Sequence, residues 1–142
     1  KETSVKSKVV PALRYRDGEN AIDWLCSAFG FERHLVVPAD DGGIAHAQIV
    51  LGDVMIMLGP SHEGEYGRLA RSPAELDGFN TQSPYIVVDD PDALHESAVA
   101  AGAEIVIELR DEDYGGRSFT GRDPEGHLWS FGSYDPWATS EE

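Results

Sequence analysis

The second half of the chain repeats the first, and this repeat constrains the fold more than any other feature. Residues between 17 and 32 recur about 72 positions later. The matching pairs are Asp17 and Asp89, Ala21 and Ala93, Ile22 and Leu94, Ala28 and Ala100, Gly30 and Gly102, and Glu32 and Glu104. Each copy predicts a βαβββ unit. One unit alone cannot bury both faces of its small sheet, so we expect two packed copies and a ligand site in the concave space between them.

The chain of 142 residues predicts one α+β domain built from these two tandem modules. We expect the first module at residues 8–59, a linker or lid loop at 60–82, the second module at 83–135 and a tail at 136–142. The linker is polar and rich in glycine and proline, which breaks any regular period. Its side chains Tyr66, Arg68, Leu69 and Phe79 could cover a pocket, so a lid and a plain linker both remain open.

Charge excludes several classes of partner. The chain has 26 acidic and 11 basic residues and a formal net charge of −15. This charge repels phosphate backbones and anionic lipid surfaces, so we expect no nucleic-acid partner. It would also attract cationic small molecules, but solubility is the simpler interpretation. Cys26 is the single cysteine, which excludes an internal disulfide, and it falls within the apolar series of the first helix. We interpret it as a buried structural thiol in preference to a nucleophile.

No apolar stretch approaches the roughly 20 residues that a membrane-spanning helix requires. Residues 1–8 are polar and contain no apolar core of a signal peptide. We therefore expect a cytoplasmic protein without a membrane partner.

The third strand offers a polar pair for a ligand. His46 and Gln48 are two residues apart, so they share one face of a strand and could form hydrogen bonds inside a pocket. Met55 and Met57 are placed in the same way on the next strand. We expect all four to contact a ligand, and we favour ligand contact over catalysis for His46.

Period-two alternation divides the aromatic residues of the second module. It puts Tyr85, Ser130 and Tyr134 on one side of their strands, and Trp129 and Phe131 on the other side beneath the helices. The first three are therefore candidate ligand contacts. Aromatic faces suit flat or cationic ligands, although packing in the core is an equally good interpretation.

Two arginines lie near the expected pocket edges. Arg14 and Arg117 could each pair with an anionic group of a ligand, or each could form a surface ion pair with one of the many acids. His127 follows a turn and is interpreted as a rim or packing residue. No serine-nucleophile motif, phosphate-binding loop, dinucleotide fingerprint or CxxC pair is present, so the catalytic repertoire is small.

The chain resembles the vicinal oxygen chelate superfamily, which includes glyoxalase, bleomycin-resistance proteins and extradiol dioxygenases. Beyond the two βαβββ copies, the resemblance rests on these segments: Leu13-Arg14-Tyr15-Arg16-Asp17, Ile22-Asp23-Trp24, Ala45-His46-Ala47-Gln48, Gly52-Asp53, Asp123-Pro124-Glu125-Gly126-His127 and Leu128-Trp129-Ser130-Phe131-Gly132. The most specific is the DPxG turn before the last strand. Within the superfamily, the chain is most similar to bacterial glyoxalase-like proteins without an established substrate.

In metal-using members, the resemblance implies one His or Glu ligand each from the first, fourth, fifth and eighth strands. The corresponding positions here are Val10, Ile56 or Met57, Gln82 or Ser83, and Ser130. None of these side chains is a strong metal ligand. We therefore predict that the usual metal site is absent and that no cofactor is bound.

The resemblance leaves three functions open. The first is a metal-independent protein that binds a small molecule in its cleft, similar to the bleomycin-resistance branch, which implies drug sequestration, antibiotic resistance and a homodimer with clefts at the subunit interface. The second is a metal-dependent lyase, isomerase or dioxygenase with an unconventional site, for which His46, Gln48 and His127 are the available ligands. The third is a regulatory or scaffold module with a vestigial pocket.

Overall fold

The computed structural model describes residues 6–61 and 64–138. The strands are β1 (Ala12–Tyr15), β2 (Glu32–Pro38), β3 (Ile44–Leu51), β4 (Val54–Pro60), β5 (Tyr85–Val87), β6 (Glu104–Asp111), β7 (Arg117–Arg122) and β8 (Leu128–Gly132). The helices are α1 (Gly18–Phe29), α2 (Gly64–Gly67) and α3 (Pro91–Ala100), and a 3-10 turn covers Pro73–Leu76. In the described ranges, no helix has the length and apolar character needed to cross a membrane.

The strands form two four-stranded sheets of the same topology. Sheet 1 has the order β1-β4-β3-β2 and sheet 2 has the order β5-β8-β7-β6. In each sheet the first strand of the module pairs in parallel with the last, and the other neighbours are antiparallel. This confirms the α+β class and the two similar βαβββ modules that the repeat predicts.

The helix ends follow from the turn residues of each repeat. The Asp17 side chain accepts a hydrogen bond from the Asn20 N–H, and α1 ends at Gly30 with a φ of 85°, which favours glycine. In the second module the capping residue is Asp90, which accepts from the Ala93 N–H. The cap therefore falls one residue later than Asp89, the sequence equivalent of Asp17.

Each sheet has one buried face, which we call its closed face, and one partly accessible face, which we call its open face. The closed face of sheet 1 carries Leu13, Tyr15, Ala47, Ile49, Ile56 and Leu58, and that of sheet 2 carries Ile86, Phe119, Trp129 and Phe131. All of these residues are at most 8% exposed. Trp129 and Phe131 thus lie on the buried side, as the alternation predicts.

The two closed faces belong to a single hydrophobic core, and α1 contacts both sheets. The Phe29 ring lies 5.7 Å from Trp129 and 4.6 Å from Phe131 between ring centroids. The Trp24 indole N–H donates to the carbonyl of Ala101 at 3.0 Å, which also joins the modules. The space between the closed faces is therefore filled by side chains, and each open face points away from the shared core.

The second half of the linker is fixed to the end of the second module. The Asn80 side chain donates to the Gly126 carbonyl at 3.1 Å and accepts from the Leu128 N–H at 3.1 Å. Three apolar side chains of the linker remain largely exposed: Tyr66 at 70%, Leu69 at 81% and Phe79 at 73%. With β1 and the start of β8, the linker encloses a cavity of about 450 Å³.

Candidate functional site

The open face of sheet 1 is a mainly apolar surface with a few polar groups. Strand register and alternation place on it Ala12, Arg14, Glu32, Leu35, Val37, His46, Gln48, Val50, Met55 and Met57. Leu35 is 45% exposed and Val37 is 40% exposed, and both methionines are half-buried. Exposed apolar side chains that share one sheet face are typical of a surface that a ligand or a partner covers.

The predicted polar pair is present on this face. The Nε2 atoms of Gln48 and His46 lie 3.1 Å apart, so the two side chains share a hydrogen bond. Gln48 also lies opposite Met57 and Leu35 in the two neighbouring strands. The amide and the imidazole therefore form one polar unit within an apolar surface.

Arg14 brings a positive charge to the same face. Its guanidinium lies directly over Gly59, where an added Cβ would be 2.5 Å from Nη2. One N–H donates to the Pro60 carbonyl at 3.2 Å, and the guanidinium carbon is 5.9 Å from the centre of the Tyr66 ring. Since Ala47 pairs with Leu58, the next position along places His46 beside Gly59. Arg14 and His46 are therefore neighbours across the sheet.

The open face of sheet 2 holds hydroxyl groups that are already paired. Ser130 lies between Tyr85 and Thr120 in the register, and its Oγ is 2.7 Å from the Thr120 Oγ1. The Tyr85 hydroxyl donates to the Tyr134 carbonyl at 2.7 Å, and the Tyr114 ring meets the Tyr134 ring edge-on at 5.1 Å. Partial burial raises the pKa of Tyr85 above its usual value.

Arg117 forms surface ion pairs, which was the second of the two interpretations that its sequence position allowed. Its Nε donates to Asp92 at 2.9 Å and its Nη1 donates to Asp111 at 3.1 Å. These hydrogen bonds raise the pKa of the guanidinium above its usual value. The positive charge of Arg117 is thus compensated by two carboxylates of its own chain.

The DPxG turn joins the two modules through Asp123, which is 4% exposed. Its Oδ2 accepts from the Tyr15 hydroxyl at 2.5 Å and from the Trp129 indole N–H at 3.0 Å. Its Oδ1 accepts from the backbone N–H groups of Glu125 and His127, both at 3.0 Å. Burial, with the adjacent Asp123 charge, raises the pKa of Tyr15 well above its usual value. The most specific motif of the resemblance therefore has a structural role here.

Glu125 and His127 complete this contact, which we call the clasp. The Glu125 carboxylate accepts from the backbone N–H groups of Arg16 at 2.7 Å and Asp17 at 2.9 Å. The His127 Nε2 bonds to the Arg14 carbonyl at 2.8 Å, and its ring packs 4.6 Å from the Tyr15 ring. His127 is thus a packing residue on the core side, whereas His46 lies on an open face.

The positions expected for a metal do not offer a suitable donor set. Ile56 is buried on the closed face, and Met57 and Ser130 lie on open faces of different sheets. Within residues 6–61 and 64–138, no three His, Cys, Asp or Glu side chains are grouped to hold a metal ion. The thioether, hydroxyl and amide groups present do not fit the His and Glu ligands that the family's metal requires.

The eight predicted site residues fall into two sets. His46, Gln48, Met55 and Met57 lie on sheet 1, and Tyr85, Arg117, Ser130 and Tyr134 lie on sheet 2 or at its end. No hydrogen bond or ion pair among the described residues links one set to the other.

Sequence reasoning gave too little weight to the glycines of the open faces. Gly59 leaves space for Arg14, and Gly132 leaves space for the Tyr85 ring, where an added Cβ would be 2.5 Å from the hydroxyl. Gly132 is the last residue of β8 and Gly59 is the residue before the last of β4, so both lie at the end of the fourth strand of their module. Their positions, 59 and 132, differ by 73 and so nearly match the repeat spacing, which was the available signal.

Comparisons with known proteins agree with this architecture. A sequence profile of the Glyoxalase/Bleomycin resistance protein/Dioxygenase superfamily matches residues 9–131. Uncharacterised proteins of Mycobacterium bovis and Mycobacterium tuberculosis are 32% identical over 129 residues, which is 91% of this chain and 84% and 75% of theirs.

Solved structures show the same fold. TioX from Micromonospora sp. ML1 is 35% identical with a TM-score of 0.69, covering 89% of this chain and 98% of TioX. The fosfomycin resistance protein FosX from Listeria monocytogenes, in complex with Mn(II) and 1S,2S-dihydroxypropylphosphonic acid, is 15% identical with a TM-score of 0.68 and 94% coverage of both chains. At that identity the FosX likeness concerns the fold alone.

Proposed function

The chain belongs to the glyoxalase/bleomycin resistance protein/dioxygenase superfamily, and on that premise we propose that it binds a small organic molecule in a cleft without the usual metal. This is binding of the drug-sequestration type. The observation that carries the proposal is the open face of sheet 1, where partly exposed apolar side chains surround a few polar groups. Small-molecule sites have this composition, in which apolar walls supply affinity and a few polar groups fix orientation.

We place the second wall of the cleft on another copy of the chain. Both closed faces belong to one core, so most of each open face points outwards, and the cavity beside the linker is lined by residues of both modules, including Arg14 and Leu128. A homodimer could set the open face of sheet 1 against the open face of the partner's sheet 2. That arrangement would bring together the open-face residues of the two sets, including Gln48 and Met57 from one side and Tyr85 and Ser130 from the other.

Side-chain chemistry favours a flat ligand. Methionine adapts its shape to a ligand and makes favourable contacts with aromatic rings, and the tyrosines of sheet 2 can stack on such rings. The net charge of −15 attracts cations at long range. The preferred charge at the point of contact depends on the groups that line the site.

The first experiment measures metal and ligand binding on the same protein. Elemental analysis of purified protein is followed by titration of the chelator-treated protein with Ni²⁺, Zn²⁺, Mn²⁺ and Fe²⁺. A thermal-shift screen of flat aromatic compounds of each charge is run with and without these ions. We expect hits that do not depend on metal. A ligand at 100 times its Kd stabilises the folded protein by about 2.7 kcal/mol, which is large enough for this screen to detect.

A pair of variants locates the site. Met57→Asp puts a charge on the open face of sheet 1, whereas Val99→Asp changes an exposed apolar residue of α3 that is 50% exposed. The hits should stabilise the wild type and Val99→Asp but not Met57→Asp. One tight metal equivalent per chain, required for ligand binding, would instead favour the metal-dependent enzyme. Equal stabilisation of both variants would contradict the proposed location.

A further inference from the structure

Arg14 is a half-buried cation to which the described residues give no acidic partner, in a chain where acids outnumber bases by 26 to 11. Other arginines of the two sheets form ion pairs with carboxylates: Arg33 pairs with Asp23, and Arg122 pairs with Glu104. Across the described residues, no carboxylate forms an ion pair with Arg14. A partly buried charge is costly unless it is paired, so the missing partner needs an explanation.

The Arg14 guanidinium is held in place on the sheet, not free in solvent. The absence of a side chain at Gly59 allows it to lie flat against the strand, and the Pro60 carbonyl accepts from one of its N–H groups. A guanidinium has five N–H donors in a fixed planar arrangement. Most of these donors are therefore available for a ligand at a defined position.

The surroundings of Arg14 combine further polar groups with an apolar surface. His46 is its neighbour across Gly59, and Gln48 shares a hydrogen bond with His46 at 3.1 Å. Met57 and Leu35 lie on either side of Gln48. A ligand that matches this pattern has a negatively charged end and a flat apolar body.

We propose that the ligand is an apolar carboxylic acid whose carboxylate is held by Arg14, with His46 and Gln48 beside it. The apolar body then lies on the thioethers of Met55 and Met57. This inference rests on the proposed function and adds the ligand class. A carboxylate and a guanidinium form two parallel charge-assisted hydrogen bonds. Such contact outweighs the overall negative charge, because salt screens interactions beyond about 8 Å at physiological ionic strength.

The test uses three probes of one shape that differ only in charge: 2-naphthoate, 2-naphthalenemethanol and 2-naphthylmethylammonium. Their affinities for the wild-type protein are measured by isothermal titration calorimetry at pH 7. We expect 2-naphthoate to bind about 10- to 100-fold more tightly than the ammonium probe, as hydrogen bonds between charged groups are worth about 1.5–3 kcal/mol.

Three variants assign the preference to Arg14. Arg14→Gln should weaken 2-naphthoate about 10- to 100-fold and change the neutral alcohol less than about 3-fold. Arg16→Gln removes the same charge from an exposed side chain two residues away, so it is the matched control and should change neither. Gly59→Ala keeps the net charge but displaces the guanidinium, so it should also weaken 2-naphthoate selectively.

The outcomes separate this inference from the proposed function. Binding of the alcohol or the ammonium probe as tight as that of 2-naphthoate, abolished by Met57→Asp, would overturn the carboxylate and leave the proposed function standing. Equal losses in Arg14→Gln and Arg16→Gln would show a general charge effect and overturn the role of Arg14. Failure of all three probes to bind would contradict both proposals. Thermal melting of each variant confirms that it is folded.

Discussion

The two modules share a glycine at the end of the last strand of each repeat, but different side chains occupy the space it leaves. In sheet 1 the Arg14 guanidinium lies over Gly59, and in sheet 2 the Tyr85 ring lies over Gly132. Tyr85 is satisfied by the Tyr134 carbonyl at 2.7 Å, whereas no carboxylate among the described residues pairs with Arg14. The duplicated backbone thus presents a charged group in one module and a neutral one in the other.

The other polar groups of the two sheets also differ in whether they have partners within the chain. The hydroxyls of Thr120 and Ser130 on the open face bond to each other. Arg117 lies on the other side of β7, where Asp92 of α3 and Asp111 hold it. The open face of sheet 2 therefore satisfies its own polar groups, while that of sheet 1 keeps its cation available. Repeat modules can preserve topology and closed face while their open faces diverge, because only the closed faces must fit a common core.

The largest expected effect comes from removing the link that holds the two modules in one core. Asp123→Ala leaves the buried Tyr15 hydroxyl, the Trp129 N–H and two backbone N–H groups without their acceptor. We expect a loss of about 3–5 kcal/mol in the free energy of unfolding, since each unsatisfied buried donor costs about 1–3 kcal/mol. Urea denaturation followed by tryptophan fluorescence measures it.

The matched control for the clasp is Asp113→Ala, which removes the same charge from an exposed loop residue. It should change the unfolding free energy by less than about 0.5 kcal/mol. If Asp123→Ala were equally mild, the hydrogen bonds of Asp123 would not be needed to hold the two modules together.

A smaller expected effect is the pH dependence of the stability that Tyr15 contributes to the clasp. Because burial and the Asp123 charge raise the pKa of Tyr15, the unfolded chain loses this proton at a lower pH than the folded protein. The contribution of Tyr15 is complete below pH 10 and is lost as the pH rises above the usual tyrosine value. Tyr15→Phe should cost about 2 kcal/mol at pH 7 and less at pH 11.

Urea midpoints of the wild type and Tyr15→Phe between pH 7 and pH 11 measure this convergence. Tyr114→Phe changes a tyrosine that is 59% exposed and should run parallel to the wild type. Curves for wild type and Tyr15→Phe that stay equally far apart up to pH 11 would contradict the assigned shift.

The smallest expected effect compares the polar groups of the two open faces directly. Thr120→Val breaks the 2.7 Å hydroxyl pair with Ser130 and should reduce stability by about 1 kcal/mol. Gln48→Leu should leave stability within about 0.5 kcal/mol and weaken ligand binding instead. Paired measurements of melting temperature and ligand affinity test this contrast. Loss of stability in Gln48→Leu, together with weaker ligand binding in Thr120→Val, would contradict the assignment of ligand binding to sheet 1.

Much of the fold could be predicted from the sequence. The repeat and the turn residues predicted two βαβββ modules, and alternation placed Trp129 and Phe131 on the buried side and Tyr85 and Ser130 on the other. These properties depend on neighbours within a few residues, so they are readable locally. For His127 the sequence left two interpretations, a rim residue or a packing residue, and the structure shows its ring packed 4.6 Å from the Tyr15 ring.

The arrangement of the candidate site was less accessible. Arg14 and Arg117 looked equivalent in sequence, and only the structure shows that one is paired with Asp92 and Asp111 while the other lies over Gly59. Ion pairing depends on which acids the fold brings near, and Asp92 is 25 residues from Arg117 along the chain. Sequence distance carries no information about such contacts.

The sequence by itself determined the duplicated topology and the buried side of β8, which carries Trp129 and Phe131. Periodicity and turn chemistry act over short stretches of chain and suffice for these features. Only the tertiary structure decided that both closed faces share one core and that Asp123 meets Tyr15, which is 108 residues away. Packing of distant segments sets those contacts, and through them the outward direction of the two open faces.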